Sequence, residues 1–564
     1  MSDNDAIDKA LQDLVDGEKI WAATPLGERR RLLEQVRDLV AVHAQDWVDA
    51  AAGIKGLATD SPLRGEEWIT GPYALAINAT ALAHSLAKLE AGKSPLDGVR
   101  FGTAPGGRTT VDVFPLNFYD RLLLSGFSAK VWLQPGVSSD EALREAGLAE
   151  RDPGRTHGVG AVLGAGNIFS IAPLDTLYEL FAHNRVVALK LNPVTDALLP
   201  VWTAVLRPFI DLGVVRILTG GAETGGYLVS HRLVDHVHMT GSSLTHDAIV
   251  YGTGEEGALR KAADEPVLDK PVTSELGGVS PTIVLPGKWS KADIRFQAQH
   301  VATQRLHNNG YNCVAAQVVV LPKRWAQRQE FIDALTRAIE AAPARPAYYP
   351  GSDDRVAAAT DTYAEAQRLG RDGARVLVVD PEDRTTLLCT EYFGPVLGII
   401  ELDCDELDFP DEAARVVNGE FVGTLGVNVI GDPAAIKSMG ARFDEFVASL
   451  RYGTIAVNAW TGVGYLTATA TWGAFPGHTR NDVQSGIGVV HNGFLIDKTE
   501  RTVVRGPFRP MPRSILHGEA SISPKPPWFV NNRTAAGTGR HLVSFAAKRS
   551  PAKLPAIFAS ELRG

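Results

Sequence analysis

Residues 157–192 have the sequence HGVGAVLGAGNIFSIAPLDTLYELFAHNRVVALKLN, and this stretch decides the fold class. Short apolar runs at 159–163 and 186–191 enclose a segment of helical pattern, which is the order of a βαβ unit. Two further apolar runs, 214–218 and 234–239, continue the alternation. Strands that alternate with helices form a parallel sheet with helices on both faces, so we expect an α/β fold here.

A second series of the same kind begins near Pro281. It continues through apolar runs at 314–321, 375–379, 396–402 and 423–430. The chain therefore predicts two doubly wound α/β lobes.

The segments before the first lobe have a different pattern. Residues 5–60 show apolar positions at helical spacing, and helical sequence continues to about Leu89. Residues 108–114 and 129–133 alternate in the manner of strands. They predict either a hairpin or part of an intersubunit sheet.

The composition is that of a globular enzyme with more than one domain. Single cores stop growing near about 250–300 residues, and this chain has 564 residues, 45% of them hydrophobic and 21% charged. No apolar run approaches the roughly 20 residues of a membrane span, and the acidic start lacks the basic region of a signal peptide, which favours the cytoplasm. Three cysteines, Cys313, Cys389 and Cys404, suit neither a disulfide framework nor a zinc site and predict reduced thiols.

The C-terminal segment differs in charge from the rest of the chain. From residue 501 onward there are 11 Lys and Arg against 2 Asp and Glu, whereas the whole chain carries −9. Six prolines between residues 507 and 527 interrupt any periodic pattern, so residues 504–564 are expected to form an extended basic arm. We expect this arm to contact a neighbouring subunit or the acidic body. We expect no nucleic-acid partner, because the basic residues are not accompanied by a recognisable DNA- or RNA-binding motif.

Three short motifs contain residues that could do chemistry. Gly164-Ala-Gly-Asn-Ile-Phe169 between a strand and a helix is similar to a dinucleotide-binding turn, although a simple tight turn explains the pattern equally well. Cys313 precedes a strand, and Glu275 lies in Ser274-Glu-Leu-Gly-Gly278. Taken singly, such residues are more often a buried thiol and a solvated loop carboxylate.

Together, the motifs resemble those of the aldehyde dehydrogenase superfamily over residues 155–490. The resemblance rests on Thr240-Gly-Ser, Glu275-Leu-Gly-Gly, Cys313 and Glu391-Tyr-Phe-Gly-Pro-Val-Leu, in that order. It implies NAD- or NADP-dependent oxidation of a small-molecule aldehyde to a carboxylic acid in a homo-oligomer, a dimer or tetramer.

The resemblance also implies a domain organisation with a small oligomerisation element beside the two lobes. The expected divisions are 1–107, the helical start of the dinucleotide-binding domain; 108–137, a strand hairpin that serves oligomerisation; 155–275, the dinucleotide-binding domain; 276–460, the catalytic domain; 461–503, a return and oligomerisation segment; and 504–564, the basic arm.

Three residues take catalytic roles if the resemblance is carried over. Cys313 is the nucleophile that forms a thioester, and Asn167 donates to the oxyanion together with the backbone N–H of Cys313. Glu275 is the general base for thioester hydrolysis. Relatives that transfer the acyl group to coenzyme A often lack this glutamate, so Glu275 favours a free acid as product.

The cofactor-binding positions follow from the same resemblance. Lys190 corresponds to the lysine beside the adenine ribose, and Glu391 and Phe393 to residues at the nicotinamide end. Gly221, Gly225, Gly241, Ser242 and Leu276 complete the predicted cofactor wall. Pro193 replaces an acidic residue that often disfavours a 2′-phosphate, so the choice between NAD and NADP stays open.

Other candidate residues are assigned less specific roles. We interpret His231, His236 and His238 as structural and expect no metal site. Phe169, Trp460, Trp472 and Phe475 are expected to line a substrate tunnel.

Two alternative functions stay open. The unusual turn at 164–169 is also similar to that of long-chain acyl reductases, which would make the protein a CoA-dependent acyl reductase. Departures from the family pattern at Gly166, Pro193 and His246 suggest a catalytically silent scaffold instead. Whether acid or acyl-CoA forms distinguishes the dehydrogenase from the acyl reductase. A cofactor titration distinguishes an enzyme from a silent scaffold.

Overall fold

The computed structural model describes residues 3–564, the side chain of Asp3 excepted. Its strands are β1 (Phe101–Ala104), β2 (Arg108–Phe114), β3 (Ser128–Leu133), β4 (Val159–Leu163), β5 (Val186–Lys190), β6 (Val215–Leu218), β7 (His236–Gly241), β8 (Val272–Leu276), β9 (Ser280–Val284), β10 (Ala316–Pro322), β11 (Gln367–Leu369), β12 (Arg375–Val379), β13 (Val396–Leu402), β14 (Gly426–Ile430), β15 (Thr454–Val457), β16 (Trp472–Gly473), β17 (Gly486–Ile487), β18 (Val489–Val490) and β19 (Thr499–Arg505).

Helices flank these strands along the whole chain. They are α1 (Asp3–Ala23), α2 (Leu26–Ile54), α3 (Arg64–Trp68), α4 (Ala74–Glu90), α5 (Phe118–Leu123), α6 (Ser139–Glu145), α7 (Ile171–Ala182), α8 (Leu199–Val205), α9 (Arg207–Asp211), α10 (Ala222–Ser230), α11 (Ser243–Tyr251), α12 (Gly254–Ala263), α13 (Lys291–Leu306), α14 (Arg328–Ala341), α15 (Ser352–Thr362), α16 (Thr385–Cys389), α17 (Phe409–Gly419), α18 (Pro433–Met439), α19 (Ala441–Ser449), α20 (Thr461–Tyr465), α21 (Arg513–Leu516), α22 (Ala535–Ala547) and α23 (Leu554–Glu561).

The first lobe is built on a six-stranded sheet of order β17-β8-β7-β4-β5-β6. Strands β4 to β8 pair in parallel, and the short β17 joins β8 in the antiparallel sense. The N-terminal helices pack on this lobe, where Trp21 meets the rings of Phe181 and Phe209 edge to face at 5.6 and 6.2 Å. The predicted helical start is corrected at one point, because residues 101–104 form a strand that pairs with β2.

The second lobe is built on an eleven-stranded sheet of order β1-β2-β3-β19-β15-β14-β9-β10-β13-β12-β11. Its central strands are parallel, from β19 through β15, β14, β9, β10 and β13 to β12. Buried side chains on both of its faces, such as Ile283 and Ile399, pack against helices. The α/β class with two doubly wound lobes is therefore confirmed.

Strands β2 and β3 are adjacent and antiparallel, with α5 between them in the chain. β3 pairs along its length with β19 of the same chain, from Leu133 opposite Thr499 to Ser128 opposite Arg505. The element thus extends the sheet of the second lobe. A role for residues 108–137 in oligomerisation stays a prediction.

The C-terminal segment folds back onto the body, so the expectation of an extended arm at 504–564 was wrong. Phe529 stacks on Phe296 of α13 at 5.3 Å between ring centres. Helix α22 packs on α3 so closely that a Cβ on Gly539 would lie 2.5 Å from the Cβ of Trp68. Single apolar residues such as Phe529 occur between the prolines. They are buried although they follow no helical or strand period.

Part of the positive charge of this segment is paired within the chain. Arg509 forms ion pairs with Asp293, Asp432 and Glu519, each at 3.0 Å. Within residues 3–564, no helix combines the length and apolarity required to cross a bilayer.

The anchoring of the C-terminal segment leads to a stability prediction. Ile557 on α23 is fully buried, whereas the neighbouring Leu562 is 58% exposed. We expect Ile557→Ala to lower the free energy of unfolding by about 3 kcal/mol, because a buried cavity is left behind. Leu562→Ala is the matched control and should change it by less than about 0.5 kcal/mol. Denaturant titration of both variants checks this, and equal effects would contradict the docking of α23.

Candidate active site

The loop that carries Cys313 joins α13 to β10. Just before it, Asn308 and Asn309 adopt left-handed backbone angles, with φ of 52° and 55°. The side-chain amide of Asn308 donates to the carbonyl oxygens of Asn167 and Tyr311 at 3.1 and 3.0 Å. These bonds fix the loop relative to the end of the first sheet.

Asn167 lies beyond the end of β4 and is buried. Its Nδ2 donates to the carbonyl of Tyr311 at 3.0 Å, and the hydroxyl of Tyr348 donates to its backbone oxygen at 3.1 Å. A primary amide has two N–H groups, so one remains for a ligand in the cavity that Asn167 and Cys313 both line.

Glu275 lies on β8 and is only 3% exposed, so it is not a solvated loop carboxylate. The indole Nε1 of Trp472 donates to its Oε1 at 3.2 Å. Burial raises the pKa of Glu275 to about 7, whereas hydrogen bonding with the Cys313 thiol and with Trp472 opposes the rise. A carboxyl with this pKa exchanges protons readily at neutral pH.

Cys313 faces the same carboxyl. Burial, followed by the negative charge of Glu275, raises the pKa of the Cys313 thiol well above its usual value. The thiol is therefore protonated at rest, and its activation requires proton transfer to a neighbouring base. Glu275 is positioned for that transfer.

A buried ion cluster supports the Cys313 loop from behind. Both oxygens of Glu66 on α3 accept from the guanidinium of Arg345, at 2.7 and 2.8 Å. The backbone N–H of Asn308 donates to Glu66 at 2.9 Å. Although burial opposes it, Arg345 and then His307 lower the pKa of Glu66 to about 2. The charged carboxylate thus ties α3 to the loop.

We expect Glu66→Gln to lower the free energy of unfolding by about 3 kcal/mol, because it leaves the buried Arg345 charge unpaired. Turnover should fall as well, since the loop that carries Cys313 loses an anchor. Glu34→Gln on the neighbouring α2 breaks only a partly exposed pair with Arg30 and should cost about 0–1 kcal/mol. Denaturation and steady-state kinetics of both variants check this. Unchanged stability and turnover in Glu66→Gln would show that the cluster does not support the loop.

A cavity of about 800 Å³ opens at the carboxyl ends of the strands of the first sheet and reaches Cys313. Its volume lies within the range of small-molecule and cofactor pockets. Most of the predicted site residues line it: Asn167, Lys190, Gly221, Gly225, Gly241, Ser242, Glu275, Cys313, Glu391 and Phe393.

The cavity has the features that a dinucleotide requires. Helix α10 begins beside Gly221 and α11 beside Ser242, so two helix N-termini face it, as phosphate groups favour. A Cβ placed on Gly221 or Gly225 would meet nothing within 4 Å, because both glycines border open space. Lys190 is buried at the end of β5 and lines the same cavity. The residues present fit a dinucleotide.

At the other end of the cavity, the motif that begins at Glu275 lies against the motif that begins at Glu391. A Cβ on Gly277 would lie 2.0 Å from Oε1 of Glu391, so only glycine allows this carboxyl to approach β8. Burial raises the pKa of Glu391 to about 8, while the N–H of Gly278 and the charge of Arg305 oppose the rise. Phe393 has φ of 41°, a strained conformation for an aromatic residue that the motif imposes.

One predicted cofactor residue, Leu276, does not itself border the cavity. Leu276 follows Glu275 on β8, on the other face of the strand, and packs with Met239, which lines the cavity. A contact between Leu276 and the cofactor stays a prediction. His246, one of the departures from the family pattern, is fully buried on α11 and leaves the cavity free.

The predicted structural histidines each face a different carboxylate. His231 lies 3.3 Å from Asp8, His236 3.3 Å from Glu179, and His238 3.5 Å from Asp175. No group of residues suited to a metal occurs within the described part of the chain.

Sequence reasoning missed Arg355 and Tyr349, which line the cavity near Glu391. Tyr349 lies just before α15 and Arg355 in its first turn, some forty residues after Cys313, and no motif indicates them. Of the four residues predicted to line a tunnel, Trp472 contacts Glu275 and Trp460 packs on His307 at 4.8 Å. Lys55 covers the ring of Phe169, and Arg501 that of Phe475.

Comparison with known sequences gives matches across the central part of the chain. Residues 167–354 match the model of the aldehyde dehydrogenase family. Coniferyl aldehyde dehydrogenase of a Pseudomonas species is 30% identical over 296 residues, which are 47% of this chain and 56% of that protein. Aminoaldehyde dehydrogenase 1 of Malus domestica is 28% identical over 270 residues, 44% of this chain and 48% of that protein. The chain thus spans about half the length of these relatives.

Comparison with solved structures extends the likeness of fold to most of the chain. Aldehyde dehydrogenase C of Pseudomonas syringae has a TM-score of 0.60 at 18% identity and covers 90% of both chains. NADP-dependent glyceraldehyde-3-phosphate dehydrogenase of Bacillus halodurans also has a TM-score of 0.60 at 18% identity, over 89% of this chain and 91% of that one. In its motifs and its fold the chain is similar to the aldehyde dehydrogenase superfamily, and residues 167–354 match the model of that family.

Proposed function

We propose that the protein oxidises an aldehyde to a carboxylic acid with NAD or NADP, through a thioester on Cys313. The observation that carries the proposal is that Cys313, Glu275 and Asn167 line one end of a single cavity that fits a dinucleotide. The relatives named above act on aldehydes, and the structure of aldehyde dehydrogenase C was determined with NAD⁺ and octanal.

The first step is addition of the thiol to the aldehyde. Glu275 accepts the thiol proton, and Cys313 Sγ bonds to the carbonyl carbon to give a tetrahedral thiohemiacetal. The oxygen becomes negative, and the amide of Asn167 together with the backbone N–H of Cys313 stabilises it. The bonds from Asn308 and Tyr348 keep Asn167 in place during this change.

When bound, NAD or NADP would supply the oxidation by taking the hydride of the substrate carbon, and the thiohemiacetal on Cys313 would thereby become a thioester. Lys190 would bind the adenosine ribose, and Glu391 the ribose at the nicotinamide end. Gly241 and Ser242 would contact the phosphates through their backbone at the start of α11.

The second half of the reaction is hydrolysis of the thioester. Glu275 takes a proton from the attacking water, and the Cys313 thiolate leaves as the acid forms. Trp472 holds one oxygen of Glu275 by its indole N–H, which leaves the other for water or the thiol. Hydrolysis at this site supports a free acid rather than an acyl-CoA as product.

A product assay across pH tests the proposal. The free acid should form without coenzyme A, because Glu275 is present to activate water. As the base must be ionised, the rate should be low below the pKa of about 7 and rise as pH increases through it. Acyl-CoA as the only product would favour the acyl reductase, and no saturable cofactor binding would favour the silent scaffold.

A further inference from the structure

A second cavity, of about 720 Å³, lies apart from the one that contains Cys313. The two cavities share no lining residue. Its walls come from α4, from the segment between β2 and α5, from α20 and from the C-terminal segment. None of the catalytic or cofactor residues described above belongs to it.

Most of the inner wall is apolar. Tyr73, Ile77 and Ala81 follow one another at helical spacing, so one face of α4 borders the cavity. Leu466 after α20 and Trp528 of the C-terminal segment lie across from them. Such a wall favours the apolar body of a small molecule.

The rim and wall carry no net charge. The basic side chains are Lys88, Arg100, Arg121 and Arg549, and the acidic ones are Asp97, Asp112, Asp120 and Glu561, four of each. Most of the acidic groups are already engaged. Asp112 pairs with Arg100 and Lys130, Asp97 pairs with Lys93, and Asp120 accepts from the backbone N–H of Leu116.

Glu561 is the exception. It lies at the end of α23 and is 6% exposed, and its Oε2 is buried without a hydrogen-bond partner among residues 3–564. Burial alone raises the pKa of this carboxyl to about 7. A buried polar group without a partner is unfavourable, so a ligand that supplies a donor gains from pairing with it.

We propose that this cavity is a second small-molecule site, which takes a neutral amphipathic ligand whose hydroxyl donates a hydrogen bond to the carboxyl of Glu561. The apolar wall holds the body of the ligand, and the formal charges of the lining side chains sum to zero. The hydroxyl belongs either to the distal end of the substrate or to a separate alcohol.

Calorimetric titration of the full chain with two probes tests the proposal. The probes are 1-decanol and decyl methyl ether, which differ in that only the alcohol donates a hydrogen bond. We expect saturable binding of the alcohol at one site per chain, about tenfold tighter than that of the ether. No saturable binding, or equal affinity for the two probes in the unaltered protein, would overturn the proposal.

Variants assign the preference to Glu561. Glu561→Leu should abolish the difference between the probes, whereas Glu561→Gln retains an acceptor oxygen and should keep it. Glu406→Gln, at an exposed position of the second lobe, is the control and should change nothing. A preference that persists in Glu561→Leu would contradict the assignment.

Competition identifies the source of the hydroxyl. In Cys313→Ala, 10-hydroxydecanal should displace decanol if the cavity receives the distal part of the substrate, and both should bind if it serves a separate ligand. The titration needs no turnover, so decanol binding remains measurable even if the protein fails to oxidise aldehydes.

Discussion

Cys313→Ala should lower aldehyde oxidation by at least about 10³-fold, because the variant has no nucleophile to form the thioester. The dinucleotide is held by residues of the first lobe, so its affinity should change by less than about threefold, a difference below 0.7 kcal/mol. Steady-state kinetics and a cofactor titration measure the two quantities separately.

Two matched substitutions control for the loss of a thiol as such. Cys389 is exposed and Cys404 half-buried, and neither lines the cavity. Cys389→Ala and Cys404→Ala should therefore retain full activity. Activity above a few per cent in Cys313→Ala would eliminate the covalent mechanism.

Glu275→Gln should slow hydrolysis of the thioester by about 10²–10⁴-fold, because an amide does not accept the proton of the attacking water. The rise of the rate through pH 7 should disappear with it, since that rise reports the ionisation of Glu275. If the thiol can still react, a rapid burst of reduced cofactor, close to one per site, should precede the slow phase.

Stopped-flow absorbance separates the two phases. Glu382→Gln replaces an exposed glutamate of the second lobe and should behave as the unaltered protein does. Turnover of Glu275→Gln at the full rate would mean that another group activates the water.

The sequence predicted the parallel strands well because they are short, apolar and bounded by turns. β4 and β12 have the predicted bounds, and β5 differs by one residue. The C-terminal segment was predicted poorly, since its anchors, such as Phe529 and Ile557, are separated by prolines and have no common period. Whether such isolated apolar residues are buried depends on the surface against which they pack. A local sequence pattern carries no information about that surface.

In the site, too, local motifs identified individual residues, whereas contacts between distant residues became visible only in the folded chain. Motifs indicated Glu275, Gly277 and Glu391 separately, and the close approach of Glu391 to Gly277 explains their joint occurrence. Leu276 packs on Met239 of the cavity wall, so its contact with the cofactor stays a prediction. Glu66 lies 247 residues before Cys313 and acts through Asn308, so only the folded chain reveals it.

The most direct test of the covalent mechanism is mass spectrometry of Glu275→Gln after brief exposure to an aldehyde and NAD or NADP. At an alkaline pH, where part of the thiol ionises without Glu275, the account predicts that the peptide containing Cys313 gains the mass of the acyl group, that hydroxylamine removes it, and that peptides containing Cys389 and Cys404 stay unchanged. Reduced cofactor formed without any acyl group on Cys313 would contradict it.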